Sequence, residues 1–400
     1  MGLLVDKMSR KKLLVGAVIA FSMSTLVSSV TTSFGVLLLM RFFLGALVSA
    51  TEPAAFSMLG DLFPRTVRTT ANSIVGTGSY LGSGLASLLI MITGTYGWRA
   101  AYFSKAVFGL VTGFFAFLLL KEPERGMLQK IESEIYYCEI KKDADDCEVC
   151  LEDEEKEEND KSIMQKFFGA LTDLASHPVG RWAAAGASLR YFGIFACDYF
   201  LPMYFLRNFP AFRAEFAVFY SLIVLFGGFT SALVGGLICD KFGKGKPMTK
   251  AWVAIIGNLL AWPMFTAAVL CTGNFWFSLT MVIGKYLFGE PWKSPAITMI
   301  QNTTKPNKFG NIVSAYQFAY IMSGCLSTVL FGAVLNYFKC AGNAIAIGRI
   351  LAGFCTVAYL GSSAAFYMAG RNYTAITTKT KFKFWGRGEP LGPNDPVWAY

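Results

Sequence analysis

The 400-residue sequence is 54% hydrophobic and only 16% charged, and it carries a formal net charge of +10. Charged residues make up about a quarter of an ordinary soluble protein, so this composition excludes a soluble globular chain. Nucleic acid binding requires a continuous basic face, but the basic residues here lie in short clusters between apolar runs, which excludes a nucleic acid partner.

Ten apolar runs follow one another along the chain, and each is long enough to cross a bilayer as a helix of about 20 residues. Because every backbone amide in lipid must bond within its own segment, we expect helices and not strands. The sequence therefore predicts an all-α polytopic membrane protein. The predicted spans are 13–32, 36–56, 73–92, 100–120, 182–206, 216–239, 251–271, 275–299, 312–338 and 344–370.

The charged segments divide these spans into regions. The stretch from 121 to 178 holds 17 of the 26 acidic residues and its core has almost no aromatic ones, so we expect a solvated linker. We predict a four-span N-terminal bundle at 1–120, an acidic cytoplasmic linker at 121–180, a six-helix C-terminal bundle at 181–370 and a basic cytoplasmic tail at 371–400.

Loop charge predicts the orientation in the membrane. Four short loops on one side of the predicted spans hold twelve basic residues, and the loops on the opposite side hold five. The side that is richer in Lys and Arg faces the cytoplasm, so we expect both termini and the acidic linker to be cytoplasmic.

Patterns that bind metals are weak in this sequence. Cys147 and Cys150 form half of a zinc site, but no second cysteine pair or neighbouring histidine completes it, since His177 is the single histidine. We therefore expect no metal and no cofactor.

The two parts of the chain share a repeated motif. The sequence GLLVDKMSRKK at 2–12 recurs as GLICDKFGKGK at 236–246, and RFFLG at 41–45 is echoed by KYLFG at 285–289. Secondary transporters commonly place their binding site between two such repeats.

The repeated loop G-x-x-x-D-K-x-x-[RK]-x-K resembles the signature of the major facilitator superfamily. Further matches are RFFLG at 41–45, DLFP at 61–64 and GWR at 97–99, and their order is most similar to spinster-type transporters of lysolipids, sphingoid phosphates and related organic anions. The resemblance implies a fold of two pseudo-symmetric bundles with twelve helices, of which ten are present. By that symmetry about 55–60 residues would precede Met1 in the complete family pattern. The spinster pattern expects a glutamate at Val48, whereas this chain has Glu52.

Charged side chains inside spans are costly, at about 2.5–3.5 kcal/mol each on insertion scales, and are therefore candidates for function. Arg41 and Glu52 are eleven residues apart, which places them on one helix face about 16 Å apart, with Glu52 as a candidate proton carrier. Glu290 and Lys293 are three residues apart and within reach of each other. Alternatives are interfacial snorkelling for Arg41, helix bracing for Glu52 and a structural ion pair for Lys285. The candidate substrate-binding or ion-binding residues are Arg41, Glu52, Arg190, Asp198, Lys285, Glu290 and Lys293.

The repeated loops and the turns that follow them are candidate gates. Their acids would bond neighbouring helix ends, and their basic residues would pair with carboxylates or lipid phosphate in one conformation only. The simpler alternative is that the basic residues only set orientation. The gating residues are Gly2, Asp6, Lys7, Arg10, Asp61, Arg68, Gly236, Asp240, Lys241 and Lys244.

The charge count within the spans favours an anionic substrate. With Lys105 assigned to the interface, four basic residues, among them Arg41, stand against three acids. The sequence contains no nucleotide-binding G-x-x-x-x-G-K-[ST] loop and no constellation typical of an enzyme. We predict a monomeric secondary transporter of an organic anion or lysolipid-like amphiphile, with proton coupling through Glu52. The alternative is a truncated, transport-dead membrane scaffold or sensor.

Overall fold

The computed structural model describes residues 9–49, 51–64, 66–122, 163–243, 246–304, 309–340 and 342–385. Within these ranges the chain forms fourteen α-helices and no strand. The helices are α1 (Arg10–Val30), α2 (Phe34–Val48), α3 (Thr51–Leu62), α4 (Arg68–Tyr96), α5 (Trp98–Leu119), α6 (Ile163–Ser176), α7 (Pro178–Asn208), α8 (Arg213–Leu222), α9 (Phe229–Phe242), α10 (Thr249–Leu270), α11 (Phe275–Gly289), α12 (Lys293–Gln301), α13 (Phe309–Tyr337) and α14 (Ala344–Trp385).

Seven helical segments are long and apolar enough to cross a membrane: Arg10–Val30, Phe34–Leu62, Trp98–Leu119, Pro210–Phe242, Thr249–Leu270, Asn311–Tyr337 and Ala344–Thr378. The other three predicted spans coincide with α4, α7 and the pair α11 and α12, which are more polar or interrupted. Helices of this length and polarity make the chain an integral, multi-pass membrane protein.

The helices before the linker form a front group. The helix α1 packs along α5 and α2, and α4 packs on α5. Close approach of α1 and α5 depends on Gly109, because a side chain there would collide with Ser22. The helix α2 has no buried residue within the structure.

The helices α6 to α14 form a back group around α7. This helix packs against α13 and α14, and α10 packs against α11 and α14. Stacked aromatic rings fill the core, with ring centroids 4.5 Å apart for Phe205 and Phe216 and 4.1 Å apart for Phe200 and Phe331. The short helix α6 contacts α7 and α13, and α14 continues as a helix into the predicted tail.

Two breaks shape the helices of the back group. A π-helical turn at Ile223–Gly228 connects α8 to α9, and such turns are frequent at functional sites. The predicted span 275–299 is divided, because α11 ends at Gly289 and α12 begins at Lys293, with Pro291 in between. Proline removes a backbone donor, and a break at this depth is tolerated where it lines a cavity.

The two groups meet along α4, which packs on α9 and α12, while α3 packs on α13. We use "loop side" for the side of the membrane where α1, α4 and α10 begin and where α3, α9 and α12 end. Close packing across the interface depends on Gly228, because a side chain there would collide with the Tyr80 ring. The interface therefore consists of few helices in tight contact.

Candidate functional site

A cavity of about 1310 Å³ lies between the two groups of helices. Its apolar wall includes Ile194, Phe195 and Phe318, so most of the surface suits an apolar ligand segment. Its polar and charged lining includes Glu52, Tyr80, Tyr191, Asp198, Tyr220, Lys285, Glu290, Lys293 and Gln317.

One group of charges, the Glu290 cluster, lies at the break between α11 and α12. Lys285 Nζ lies 3.2 Å and Arg190 Nη2 lies 3.4 Å from Glu290 Oε1, and Tyr80 donates a hydrogen bond of 2.8 Å to Glu290 Oε2. Arg190 Nη2 also donates to the Gly289 carbonyl at 2.8 Å. Tyr80 comes from the front group and the other side chains from the back group, so this cluster touches both.

Aromatic rings surround the cations of the Glu290 cluster. Lys285 Nζ lies 3.5 Å from the Tyr286 ring centroid, and the Arg190 guanidinium lies 4.3 Å from that of Tyr359. The Tyr286 hydroxyl in turn lies 3.0 Å from the Tyr220 hydroxyl. A cation over a ring face is stabilised by the ring quadrupole, so these contacts offset part of the cost of burying the two cations.

A second group, the Glu52 cluster, joins the two groups of helices directly. Lys293 Nζ lies 2.8 Å from Glu52 Oε1, and Tyr320 donates a hydrogen bond of 3.2 Å to Glu52 Oε2, which Gln317 also contacts. Tyr191 stacks on Tyr320 with ring centroids 4.1 Å apart. Glu52 belongs to α3, whereas its partners come from α12 and α13, so an ion pair bridges the interface.

Asp198 is the third acid of the cavity and differs from the other two. It lies on α7, its side chain is exposed, and it lines the cavity together with Lys285 and Glu290. Within the part of the chain that the structure describes, Asp198 forms no ion pair.

The structure changes two of the sequence expectations about charge. Arg41 is absent from the cavity lining, and its guanidinium lies over the Tyr102 ring of α5 at 4.5 Å. Glu290 and Lys293, which the sequence places within reach of each other on one helix face, lie on either side of the break and each pairs with other residues. Arg190, Lys285 and Lys293 therefore balance Glu52, Asp198 and Glu290, and the expected basic excess disappears.

Polar contacts close the interface on the loop side. Arg68 donates to Asn302 Oδ1 across the interface at 3.1 Å and to the Gly60 carbonyl at 2.7 Å. Asp240, at the end of α9, accepts a hydrogen bond of 2.6 Å from the Thr70 amide in the first turn of α4. A carboxylate at a helix N-terminus satisfies a free amide and complements the helix dipole, so Asp240 caps α4 from the other group.

A buried amide pair continues this closure towards the cavity. Asn72 Nδ2 donates to Thr298 Oγ1 at 2.9 Å and to Gln301 Oε1 at 2.7 Å. Gln301 Nε2 then donates to the Phe56 carbonyl at 3.1 Å. These three hydrogen bonds cross the interface, and Asn72, Thr298 and Gln301 are all buried.

The remaining gating candidates that the structure describes lie on the loop side of each group. Arg10 forms a buried ion pair with Asp61 and donates to the Ser57 carbonyl at 3.3 Å. Gly236 packs against Ser73 with no room for a side chain, and Lys241 lies 5.8 Å from the ring centroid of its neighbour Phe242. Gly2, Asp6, Lys7 and Lys244 lie outside the described residues.

Several polar residues of the site were missed from the sequence because they carry no charge. Tyr80, Asn72, Gln301, Gln317 and Tyr320 each bond across the interface. Polar side chains inside otherwise apolar runs are a usable signal, since each needs a partner in the membrane.

Comparison with known proteins shows the family to which this chain belongs. The sequence profile of the Major Facilitator Superfamily matches residues 1–328. The chain belongs to the major facilitator superfamily. Proteins of this superfamily are secondary transporters of small molecules.

Solved structures of other superfamily members share this fold. A bacterial homologue of the human lysosomal transporter spinster, in an inward-facing state, superposes with a TM-score of 0.56 at 18% identity, covering 94% of this chain and 85% of that one. The human organic anion transporter MFSD10 superposes with a TM-score of 0.64 at 14% identity, covering 90% of this chain and 79% of that one.

Sequence relatives match the superfamily chain over shorter stretches. The sphingosine-1-phosphate transporter SPNS2 of Danio rerio is 32% identical over 129 residues, which is 31% of this chain and 26% of that protein. The sialic acid transporter NanX of Escherichia coli is 26% identical over 103 residues, which is 26% of this chain and 25% of that protein. The chain thus spans about a quarter of the length of these relatives.

Proposed function

We propose that this protein is a secondary transporter that moves an organic anion or a lysolipid-like amphiphile by alternating access, coupled to protons. The observation that carries the proposal is the ion pair of Glu52 and Lys293, which bridges the two groups of helices at the wall of the cavity. A ligand that competes for this pair changes how strongly the groups hold together.

The loop-side contacts are the ones that we expect to break and re-form during transport. Arg68, Asn72 and Asp240 join the groups through a small number of hydrogen bonds, which two rigid bundles can break and re-form. The excess of Lys and Arg in its loops supports a cytoplasmic position for this side. The structure then corresponds to a conformation closed towards the cytoplasm, and breaking these bonds opens it there.

The cavity suits a ligand with a charged head and an apolar body. Lys293 and Lys285 offer charge-assisted hydrogen bonds to an anionic head, while Ile194, Phe195 and Phe318 offer apolar surface. An anion on Lys293 takes the place of the Glu52 carboxylate, which links substrate binding to loosening of the interface. The superfamily relatives named for organic anions and sphingosine 1-phosphate support this substrate class.

Because the cavity acids and bases balance, an added anion needs a compensating positive charge. A proton bound to a cavity carboxyl supplies that charge without a further residue. This requirement supports proton coupling, with Glu52 as the carrier expected from the sequence and Asp198 as the second candidate.

Transport into liposomes tests the proposal. We expect the reconstituted full chain to take up a radiolabelled lysophosphatidate or sphingoid phosphate, without ATP, at a saturable rate. Lys293→Ala should lower the rate about tenfold or more, because a charge-assisted hydrogen bond contributes about 1.5–3 kcal/mol. The matched control is Lys12→Ala, since Lys12 is exposed at the start of α1. Rates equal to protein-free liposomes for both lipids and for simple organic anions would favour the scaffold or sensor alternative.

A further inference from the structure

The three acids of the cavity are held in different ways. Glu52 and Glu290 each lie beside at least one cation and accept further hydrogen bonds from side chains. Asp198 is exposed to the cavity and, in the described ranges, has no cation within ion-pair distance. Among the described residues, Asp198 is thus the cavity carboxyl that has no ion-pair partner.

Five groups on neighbouring elements face Asp198. They are Lys285 and Tyr286 from α11, Tyr220 from α8, Arg190 from its own helix α7 and Glu290 from the break. The two cations among them are engaged by Glu290, at 3.2 Å for Lys285 and 3.4 Å for Arg190. The two tyrosine hydroxyls lie 3.0 Å from each other. Tyr286 is also a hydrogen-bond neighbour of Asp198, whereas both neighbouring cations pair with Glu290.

We propose that Asp198, and not Glu52, is the carboxyl that binds the coupling proton. An ionised carboxylate in the membrane interior requires a paired cation, and a proton removes that requirement. The exposed position of Asp198 lets the proton enter from the open cavity. In the substrate-free cavity, Glu52 and Glu290 keep their cations and remain ionised. This inference rests on the proposed transport function, and it names the residue through which that function depends on pH.

The binding of the proton also acts on the Glu290 cluster. When Asp198 is ionised, it attracts Lys285, which then divides its contacts between two acids. When Asp198 is protonated, this attraction is lost and Lys285 pairs with Glu290 alone, from which it lies 3.2 Å in the structure. Tyr80 of the front group donates a hydrogen bond to Glu290. A change in how Lys285 pairs with Glu290 therefore alters a contact between the two groups.

Infrared difference spectroscopy of the purified full chain tests the proton site without any substrate. On acidification from neutral pH, the wild type should gain the carbonyl band of a protonated carboxylic acid. We expect Asp198→Asn to lose this band and Glu52→Gln and Glu290→Gln to keep it. Glu215→Gln is the control for a carboxyl outside the cavity, since Glu215 is exposed on α8. A band that persists in Asp198→Asn and is lost in Glu52→Gln would overturn the inference.

Transport measurements provide an independent second test of Asp198 as the proton-binding residue. In liposomes loaded with lysophosphatidate, Asp198→Asn should lose the stimulation of uptake by a pH gradient but keep exchange across the membrane without a gradient. Stimulation that survives in Asp198→Asn would also overturn the inference. If the infrared band behaves as expected but no probe is transported, the proton site stands and the proposed function fails. The two failures are therefore distinguishable.

Discussion

Lys293 Nζ lies 2.8 Å from the Glu52 carboxylate, and the two residues belong to opposite groups of helices although they are 241 positions apart in the chain. The side chain of Lys293 is 14% exposed and that of Glu52 is 38% exposed, so the pair faces the cavity while it bridges the interface. A ligand in the cavity can therefore contact this ion pair, and breaking the pair removes a contact between the two groups.

The bridge predicts energetic coupling between its two residues. We expect Glu52→Gln and Lys293→Met each to lower the free energy of unfolding, and the double variant to lose less than their sum. The interaction energy should be about 0.5–3 kcal/mol, the range for residues in direct contact. A double-mutant cycle on thermal unfolding in detergent measures it. Strict additivity would show that the two side chains do not interact.

The amide pair on the loop side predicts a change in accessibility. Asn72→Ala removes the buried donor to Thr298 Oγ1 and Gln301 Oε1, which costs about 1–3 kcal/mol of the closed conformation. A cysteine introduced at the buried Ser73 should then react faster with a water-soluble thiol reagent, by about tenfold for each 1.4 kcal/mol. The rate is measured against the same chain with Ser73 unchanged.

A matched variant distinguishes opening of the loop-side interface from a general loss of stability of the protein. Asn208 donates to the Thr272 carbonyl at 3.3 Å at the opposite end of α7, so its amide also bonds within the membrane protein but not across the interface. Asn208→Ala should leave the reactivity of the cysteine at position 73 unchanged. Equal acceleration by both variants would contradict a specific role of Asn72 in closure.

The buried pair of Arg10 and Asp61 predicts a large loss of stability. Both side chains are almost fully buried, and Asp61→Asn leaves the Arg10 guanidinium without a counter-charge. Removing one partner of a buried pair costs about 3–5 kcal/mol. Chemical unfolding of the purified chain should show this loss, and the double variant Arg10→Met with Asp61→Leu should regain most of it. A loss below the error of the measurement would show that water solvates Arg10.

His177 predicts how stability depends on pH outside the membrane spans. It precedes α7, and its Nδ1 accepts a hydrogen bond of 3.3 Å from the Gly180 amide. Burial lowers the pKa of His177. Because the unfolded chain then binds more protons, stability is complete above the ordinary pKa of about 6.5 and decreases as the pH falls through the lowered value.

His177→Asn tests this dependence. Asparagine keeps a capping acceptor but does not titrate, so the variant should show a flatter stability profile between about pH 8 and pH 5. The difference from the wild type should be about 0.5–2 kcal/mol at the acidic end, the range for a lost cap. Parallel profiles of the two proteins would assign the acid sensitivity to another group.

The sequence predicted the elements of this fold better than their contacts. Apolar length identified the helical segments, and the intramembrane charges pointed to Lys285, Glu290, Lys293 and Glu52, all of which line the cavity. The partners of these charged residues were not predictable. Residues three apart are neighbours only within one continuous helix, and the break separates Glu290 from Lys293. Glu52 finds its partners in α12 and α13, and such long-range contacts depend on how the two groups are placed.

Arg41 is a second case in which the sequence did not predict the contacts of a charged residue. Its repeat counterpart Lys285 lines the cavity, but Arg41 lies against Tyr102 in α5. Position within a helix gives the depth of a residue in the membrane, whereas the direction of its side chain depends on the neighbouring helices. The uncharged residues Asn72 and Gln301 were missed because only charges had been considered as a signal.

The most direct test of alternating access through the Glu52 cluster is a pair of distance measurements by pulsed electron resonance. Spin labels at the exposed residues Lys121 and Lys246 report on the loop side, and labels at Tyr96 and Tyr337 report on the opposite side. We predict that Glu52→Gln lengthens the first distance and shortens the second in the same population. Distances that stay unchanged in Glu52→Gln, or that lengthen on both sides together, would contradict the account.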